Sequence, residues 1–162
     1  MAGEASDPYL KYALFCRDTN EEDSDLSLSG IIDLYELPEP DESADPNDPV
    51  LATVDVNLVF CVGGVEPGNH YLFVTLKTPG IPLDTPPAQK VEWEEGILFQ
   101  RWIKAFRIPV QRPGIHSAAI LFDGIPLGEA TFLVRFKVDA AKLESPDGAD
   151  EDPDSESDSE NE

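Results

Sequence analysis

Basic residues are scarce in this chain: 11 Lys and Arg stand against 33 Asp and Glu, a formal net charge of −22. Protein binding to a phosphate backbone works by Lys and Arg displacing counterions, so nucleic acid is not an expected partner. An anionic membrane surface repels such a chain for the same reason. No apolar run approaches the roughly 20 residues that a membrane-spanning helix needs. The segment Met1 to Arg17 lacks the basic start, apolar stretch and small-residue cleavage site of a secretory leader. The cytoplasm is therefore the expected location, where the two cysteines, Cys16 and Cys61, stay reduced.

Histidine is equally rare, with only His70 and His116 to serve as a general base of that type. Neither lies in a nucleophile motif, since no Gly-x-Ser-x-Gly occurs and neither cysteine sits in a catalytic context. Both histidines read as structural residues at strand ends. Two scattered cysteines and two scattered histidines lack zinc-ligand spacing. The Gly63-Gly64 and Pro67-Gly68 turns precede no helix and are followed by no Lys-Ser or Lys-Thr, so phosphate cradles are absent. No cofactor is expected, and the chain reads as a non-enzyme.

The charge that is present is peripheral. Residues 1–49 hold fourteen acids against Lys11 and Arg17, and residues 139–162 hold eleven against Lys142. The intervening residues 50–138 hold eight acids and eight bases and are neutral. A negative surface suits a protein partner, especially a basic one, a metal ion, or plain solubility. Hard oxygen ligands for calcium are plentiful at Asp41, Asp45, Asn47 and Asp48, or at Asp18, Glu21, Asp23 and Asp25. These runs lack an Asp-x-Asp-x-Asp-Gly framework, and a solvated charge run is the simpler reading. Trp93 and Trp102 flank Glu94-Glu95-Gly96 and are candidates for a shallow groove that takes a sugar or peptide. In a small β-domain a Trp more often packs in the core or covers its rim.

Two-residue periodicity dominates the neutral body. Ala52, Val54, Val56, Leu58, Phe60 and Val62 share one face of a strand, with Thr53, Asp55, Asn57 and Val59 on the other. Tyr9 to Arg17 alternates as well. Its inner row reads as Leu10, Tyr12, Leu14 and Cys16, so that Cys16 faces the core and Cys61 faces away. On opposite faces the two thiols could not bridge, because their Cβ atoms must approach to about 3.5–4.5 Å. Residues 18–25 read as a solvated connection, and Leu26 to Leu37 as the second strand, with Leu26, Leu28, Ile32 and Leu34 inward. Strands at His70 to Thr78 and Val91 to Glu95 follow. The segment Ile97 to Val110 could carry a helical stripe, but its β-branched and aromatic residues and Pro109 favour a strand.

The closing segment is the most specific. Asp123-Gly124 is a type I′ hairpin signal, because both central positions need positive φ. It pairs Phe122 with Ile125 and Ile120 with Leu127 on the inner face. The later inner row, Ala130, Phe132, Val134, Phe136 and Val138, has the opposite parity. One inserted residue is therefore required, and a β-bulge at Gly128-Glu129 supplies it. From Glu144 onward ten acids and no base or aromatic leave too little apolar surface to order a tail. Each of Ser155, Ser157 and Ser159 has an acid three residues on, the pattern an acidophilic kinase accepts.

The segments Tyr12-Ala13-Leu14-Phe15-Cys16-Arg17-Asp18, Leu26-Ser27-Leu28-Ser29-Gly30, and Pro113-Gly114 through Asp123-Gly124 to Leu127-Gly128 occur in that order over residues 9–138. Together they resemble a family of small bacterial proteins with no assigned activity. The resemblance implies a β-sandwich in a bacterial cytoplasm and brings no active-site residues with it. Ile115-His116 stands where that family usually has an aromatic. The expected architecture is all-β: an antiparallel sandwich of about eight strands, Ig-like or jelly-roll-like. Residues 1–8 form a flexible start, 9–139 the domain and 140–162 a disordered acidic tail. The expected role is a non-enzymatic protein-binding or structural module. The alternatives are a calcium- or carbohydrate-binding domain and, beyond it, a hydrolase built on His70 or His116.

Overall fold

The structure, a computed structural model, describes residues 7–39, 50–83 and 86–137. Asp41, Asp45, Asn47, Asp48, Val138 and the acidic segment 140–162 lie outside the described residues. The chain is all-β, with nine strands among the described residues. They are β1 Tyr9–Glu22, β2 Asp25–Ile31, β3 Leu34–Leu37, β4 Ala52–Gly63, β5 Gly68–Lys77, β6 Gln89–Trp93, β7 Phe99–Val110, β8 Gly114–Phe122 and β9 Ile125–Phe136. Two sheets result, in the orders β2-β1-β4-β7 and β3-β9-β8-β5-β6.

Alternation explains why these segments pair as they do. Val54, Val56, Leu58, Phe60 and Val62 from the first sheet form one cluster with Leu72, Val74, Ala118, Ile120, Phe122, Phe132 and Val134 from the second. Phe15 of β1 meets Phe132 of β9 edge to face, with ring centroids 5.2 Å apart, and so joins the two sheets at the centre. Buried aromatics of this kind carry the largest share of apolar burial. The segment Ile97 to Val110, read as a strand over a helical alternative, supplies β7, which pairs with β4 along its whole length from Ala52↔Val110 to Gly63↔Phe99.

Sequence expectations are corrected at several points. The strand expected over Leu26–Leu37 breaks at Ile32-Asp33: β2 stays in the first sheet, while β3 crosses to the edge of the second. There β3 runs parallel to β9, so the arrangement is not purely antiparallel. Residues 18–25 are not an open connection, because β1 continues to Glu22 and turns at Asp23-Ser24 into β2. Acidic side chains there point to water while their backbones pair, Asp18 with Ser29 and Glu22 with Asp25. Ile125, assigned inward, is 55% exposed beside the tight turn.

The inner row of β1 also differs. A register shift between Leu10 and Tyr12 leaves Lys11 as the extra residue. Leu10 opposite Val62 is inward, yet beyond the bulge the inward pairs become Ala13↔Phe60 and Phe15↔Leu58. Cys16, opposite Asn57, therefore lies on the outer face, the same face as Cys61 opposite Tyr12. Finally, the bulge in the last hairpin falls at Leu127, since Ile120 pairs with Gly128 and Leu121 with Pro126. A Cβ on Gly128 would stand 2.9 Å from the Leu10 side chain, so glycine lets the facing sheet approach there.

The outer face of the first sheet is itself partly covered. Val59 and Cys61 are buried although neither belongs to the central cluster. Arg101, level with Tyr12 in the register, reaches Glu21 at 3.3 Å. Nine residues of straight strand would separate Tyr12 and Glu21 by about 30 Å. Strand β1 must therefore bend, and the β1–β2 hairpin folds back across the outer face. Asn57 marks the bend by donating to the Arg17 carbonyl at 2.8 Å.

Replacing Phe132 by Ala should cost about 3–5 kcal/mol in urea unfolding. A loss under about 0.5 kcal/mol, as on an open surface, would contradict its place at the centre.

Candidate functional site

The two histidines close opposite ends of the core. His70 is the third residue of β5, and its ring stacks on Phe122 at 5.1 Å. His116 is the third residue of β8 and stacks on Phe132 at 5.2 Å. Along β8, positions 116 and 122 stand about 20 Å apart, so the histidines share no site.

A carboxylate does converge on His70. Asp123 sits in the hairpin turn with φ of 50°, followed by Gly124 at 79°, the two positive values a type I′ turn requires. That conformation aims the Asp123 side chain at β5. Its Oδ2 lies 2.5 Å from His70 Nδ1, and its Oδ1 accepts from the Tyr71 amide at 2.8 Å. The Asp123 amide in turn donates to the Tyr71 carbonyl. On the far side of the ring, His70 Nε2 donates to the Glu66 carbonyl at 2.7 Å. Both ring nitrogens thus face acceptors, an arrangement that holds two protons. Burial by itself lowers the His70 pKa, but the hydrogen bonds to Asp123 and Glu66 outweigh it and the net shift is upward. Burial likewise pushes Asp123 up, and the His70 and Tyr71 hydrogen bonds carry it below the usual carboxylate range.

This pair has the outline of a hydrolytic dyad but not its working end. A general base needs a free nitrogen aimed at a nucleophile. His70 Nε2 is spent on the Glu66 carbonyl instead. Asp123 is not legible as a partner in the sequence, because its turn with Gly124 already accounts for it. A His two residues ahead of an inward Leu, at the start of the strand paired with that hairpin, was the available signal.

His116 is fully buried, with Nδ1 donating to the Gly114 carbonyl at 3.1 Å and Nε2 without a partner among the described residues. Desolvation lowers its pKa, against a smaller upward pull from Gly114. It is a neutral core residue.

Trp93 is buried in the core, edge to face with Phe122, and its indole nitrogen donates to the Ile97 carbonyl at 2.9 Å. Such a ring presents no wall to a groove, which corrects its candidacy. Trp102 is half-buried and stacked on Phe60 at 5.2 Å. Asp18, Glu21, Asp23 and Asp25 lie on the β1–β2 hairpin, where Glu21 pairs with Arg101. Among the described residues no group of three His, Cys, Asp or Glu side chains could hold a metal ion. Cys16 and Cys61 are both buried and free. Cys16 pairs with Asn57, which stands four residues from Cys61 on β4, and this separates the two cysteines by about 13 Å. Burial pushes both thiols up, aided by Asp18 at Cys16. No helix among the described residues is long and apolar enough to cross a membrane.

No protein-family model matches the chain, and no curated protein matches it. Among solved structures, 80% of the chain is similar to part of the alkylpurine DNA glycosylase AlkC of Pseudomonas fluorescens, bound to DNA containing an abasic site analog, with a TM-score of 0.46 at 15% identity. A second similarity, over 78% of the chain, is to a beta-glucosidase from Listeria innocua in complex with glucose, with a TM-score of 0.41 at 12% identity. The chain spans 31% of the glycosylase and 17% of the glucosidase.

The two histidines carry opposite pH signatures. His70 stabilises the fold fully below its unfolded pKa of about 6.5, and that contribution fades as pH rises through the raised folded value. His70→Gln should therefore lose more stability at about pH 5.5 than at about pH 8.5 in paired denaturant titrations. Equal losses would dissolve the imidazolium assignment. His116 stays neutral in the fold while the unfolded chain takes a proton, so it destabilises as pH falls below about 6.5. His116→Leu should flatten the acid side of the stability curve, and a steeper acid side would contradict a neutral His116.

Proposed function

We propose that the chain is a non-enzymatic protein-binding module of the bacterial cytoplasm, its two sheets forming a β-sandwich scaffold. The observation that carries this reading is the closed state of His70. Its Nδ1 and Nε2 are both committed to structural acceptors, Asp123 and the Glu66 carbonyl. The other histidine is sealed in the core beside Phe132. With both imidazoles consumed by the fold, the surface left for function is the sheet edges and the loop ends. Edges recognise extended protein segments through main-chain hydrogen bonds, and this needs no reaction centre.

The test is reconstitution. A partner cross-linked to the full chain in its own cells is purified, and its binding to wild type and to His70→Gln is compared by calorimetry. The module reading expects a saturable complex whose affinity changes less than about threefold in His70→Gln, well below 1 kcal/mol. It fails if no partner reconstitutes while the purified chain turns over a substrate and His70→Gln abolishes that turnover.

A further inference from the structure

Four strands lie at the edges of the two sheets: β2, β3, β6 and β7. Edges are usually blunted by shortness, kinks, Pro or charge. Strand β3 has 4 residues and β6 has 5. Strand β2 is interrupted by Gly30 at φ 66° and opens on Asp25. Strand β7 is different, with 12 residues, no positive φ, and Pro only at position 109.

The direction of its backbone groups follows from one bond. The Leu51 amide donates to the Val110 carbonyl, so Val110 turns its polar groups towards β4. In an antiparallel ladder successive residues turn these groups to alternate sides. Arg101, Ile103, Ala105 and Arg107 therefore point theirs away from β4, where no described backbone hydrogen bond meets them. Pro109 falls in the same outward set, where a missing N–H costs no ladder bond.

Two hollows meet at Ala105. One, of about 310 Å³ on the core side, is lined by Leu72, Val74, Pro86, Pro87 and Phe106, with Lys104 supplying a cation. The other, of about 380 Å³ on the outer face, is lined by Arg17, Asp55, Asn57 and Arg107. Arg107 is paired with Asp55 at 2.9 Å, which leaves the Arg17 charge uncompensated in that hollow among the described residues. The Lys104 ammonium donates to the neutral Gln89 amide oxygen. An added strand sends alternate side chains to opposite faces. The residue opposite Ala105 would enter the polar hollow beside Arg17, and its two neighbours would enter the apolar one.

We infer that the β7 edge, centred on Ala105, is a strand-addition site for an extended partner segment in which an acidic residue is flanked by apolar ones. This rests on the module reading above and names its partner's chemistry. Charge selects that occupant over a second copy of the chain. In an antiparallel pairing of two copies about Ala105, Lys104, which meets only the neutral Gln89 among the described residues, would stand diagonally across from its own copy and repel it.

The probe is a labelled peptide of about eight alternating Val and Glu residues, long enough to span the outward amides, titrated by fluorescence polarisation against the full chain. Saturable binding is expected, at least about tenfold weaker when Lys replaces Glu. Ala105→Pro removes the central outward N–H and should abolish binding. Arg17→Glu leaves the β7 backbone intact, reverses the charge that faces the acidic residue and should weaken binding about tenfold, so a misfolded Pro variant does not decide the result. The proposal is overturned if the peptide does not bind, if the Lys peptide binds as well, or if Arg17→Glu binds unchanged. A dimer in sedimentation that Ala105→Pro converts to monomer would also overturn it, by giving the edge to a second copy. If the partner found by reconstitution binds wild type and Arg17→Glu alike, the module reading stands and the β7 site falls.

Discussion

Burial of the inward rows of β4 and of the β8–β9 hairpin against one another is the interaction on which the rest of the molecule hangs. Once Leu58, Phe60 and Val62 face Ile120, Phe122 and Phe132 in one cluster, each strand's polar row is fixed to the outside. A slip of one residue would turn every one of those side chains over. The bulges at Lys11 and Leu127 are the local adjustments that let long strands keep this commitment at both ends. The Asp123 turn, held to β5 by three hydrogen bonds through His70 and Tyr71, fixes the hairpin against its neighbour strand.

Much of that architecture is legible in the residues. The alternation of residues 52–62, the Asp123-Gly124 turn and the parity conflict that demands a bulge in β9 all follow from a two-residue period. What escapes the sequence is set by pairing between distant segments. Nothing within Tyr9–Arg17 marks Lys11 as the extra residue, because the bulge is decided opposite Cys61 and Val62 on β4. Cys16 moves to the outer face for that reason. The break at Ile32-Asp33 is likewise decided by an open edge on β9, to which β3 adds in parallel. Acidic residues 18–25 read as solvated, and they are, yet a strand with one face in water satisfies that as well as a loop does.

The candidate sites divide along the same line. The histidines read as structural residues, but the His70–Asp123 contact, 53 residues apart in sequence, was beyond any local motif. Trp93 and Trp102 look alike in sequence and differ in depth, because Trp93 lies beneath the 94–98 connection that it hydrogen-bonds while Trp102 sits on the edge strand. Strand β7 mixes aromatic, basic and β-branched residues, which suits an edge with one covered face. An edge is a property of sheet order, which no single segment reveals.

The central claim is a sealed core between two sheets with the long backbone edge of β7 left open among the described residues. Residue-resolved amide hydrogen exchange tests it directly. The account predicts slow exchange at successive amides of β4 from Asn57 to Phe60, which have neighbours on both sides. Along β7 it predicts an alternation, slow at Trp102, Lys104 and Phe106 and fast at Arg101, Ile103 and Ala105. Uniform protection along β7 would mean that the edge is covered, and uniform fast exchange in β4 would mean that the two sheets do not seal a core.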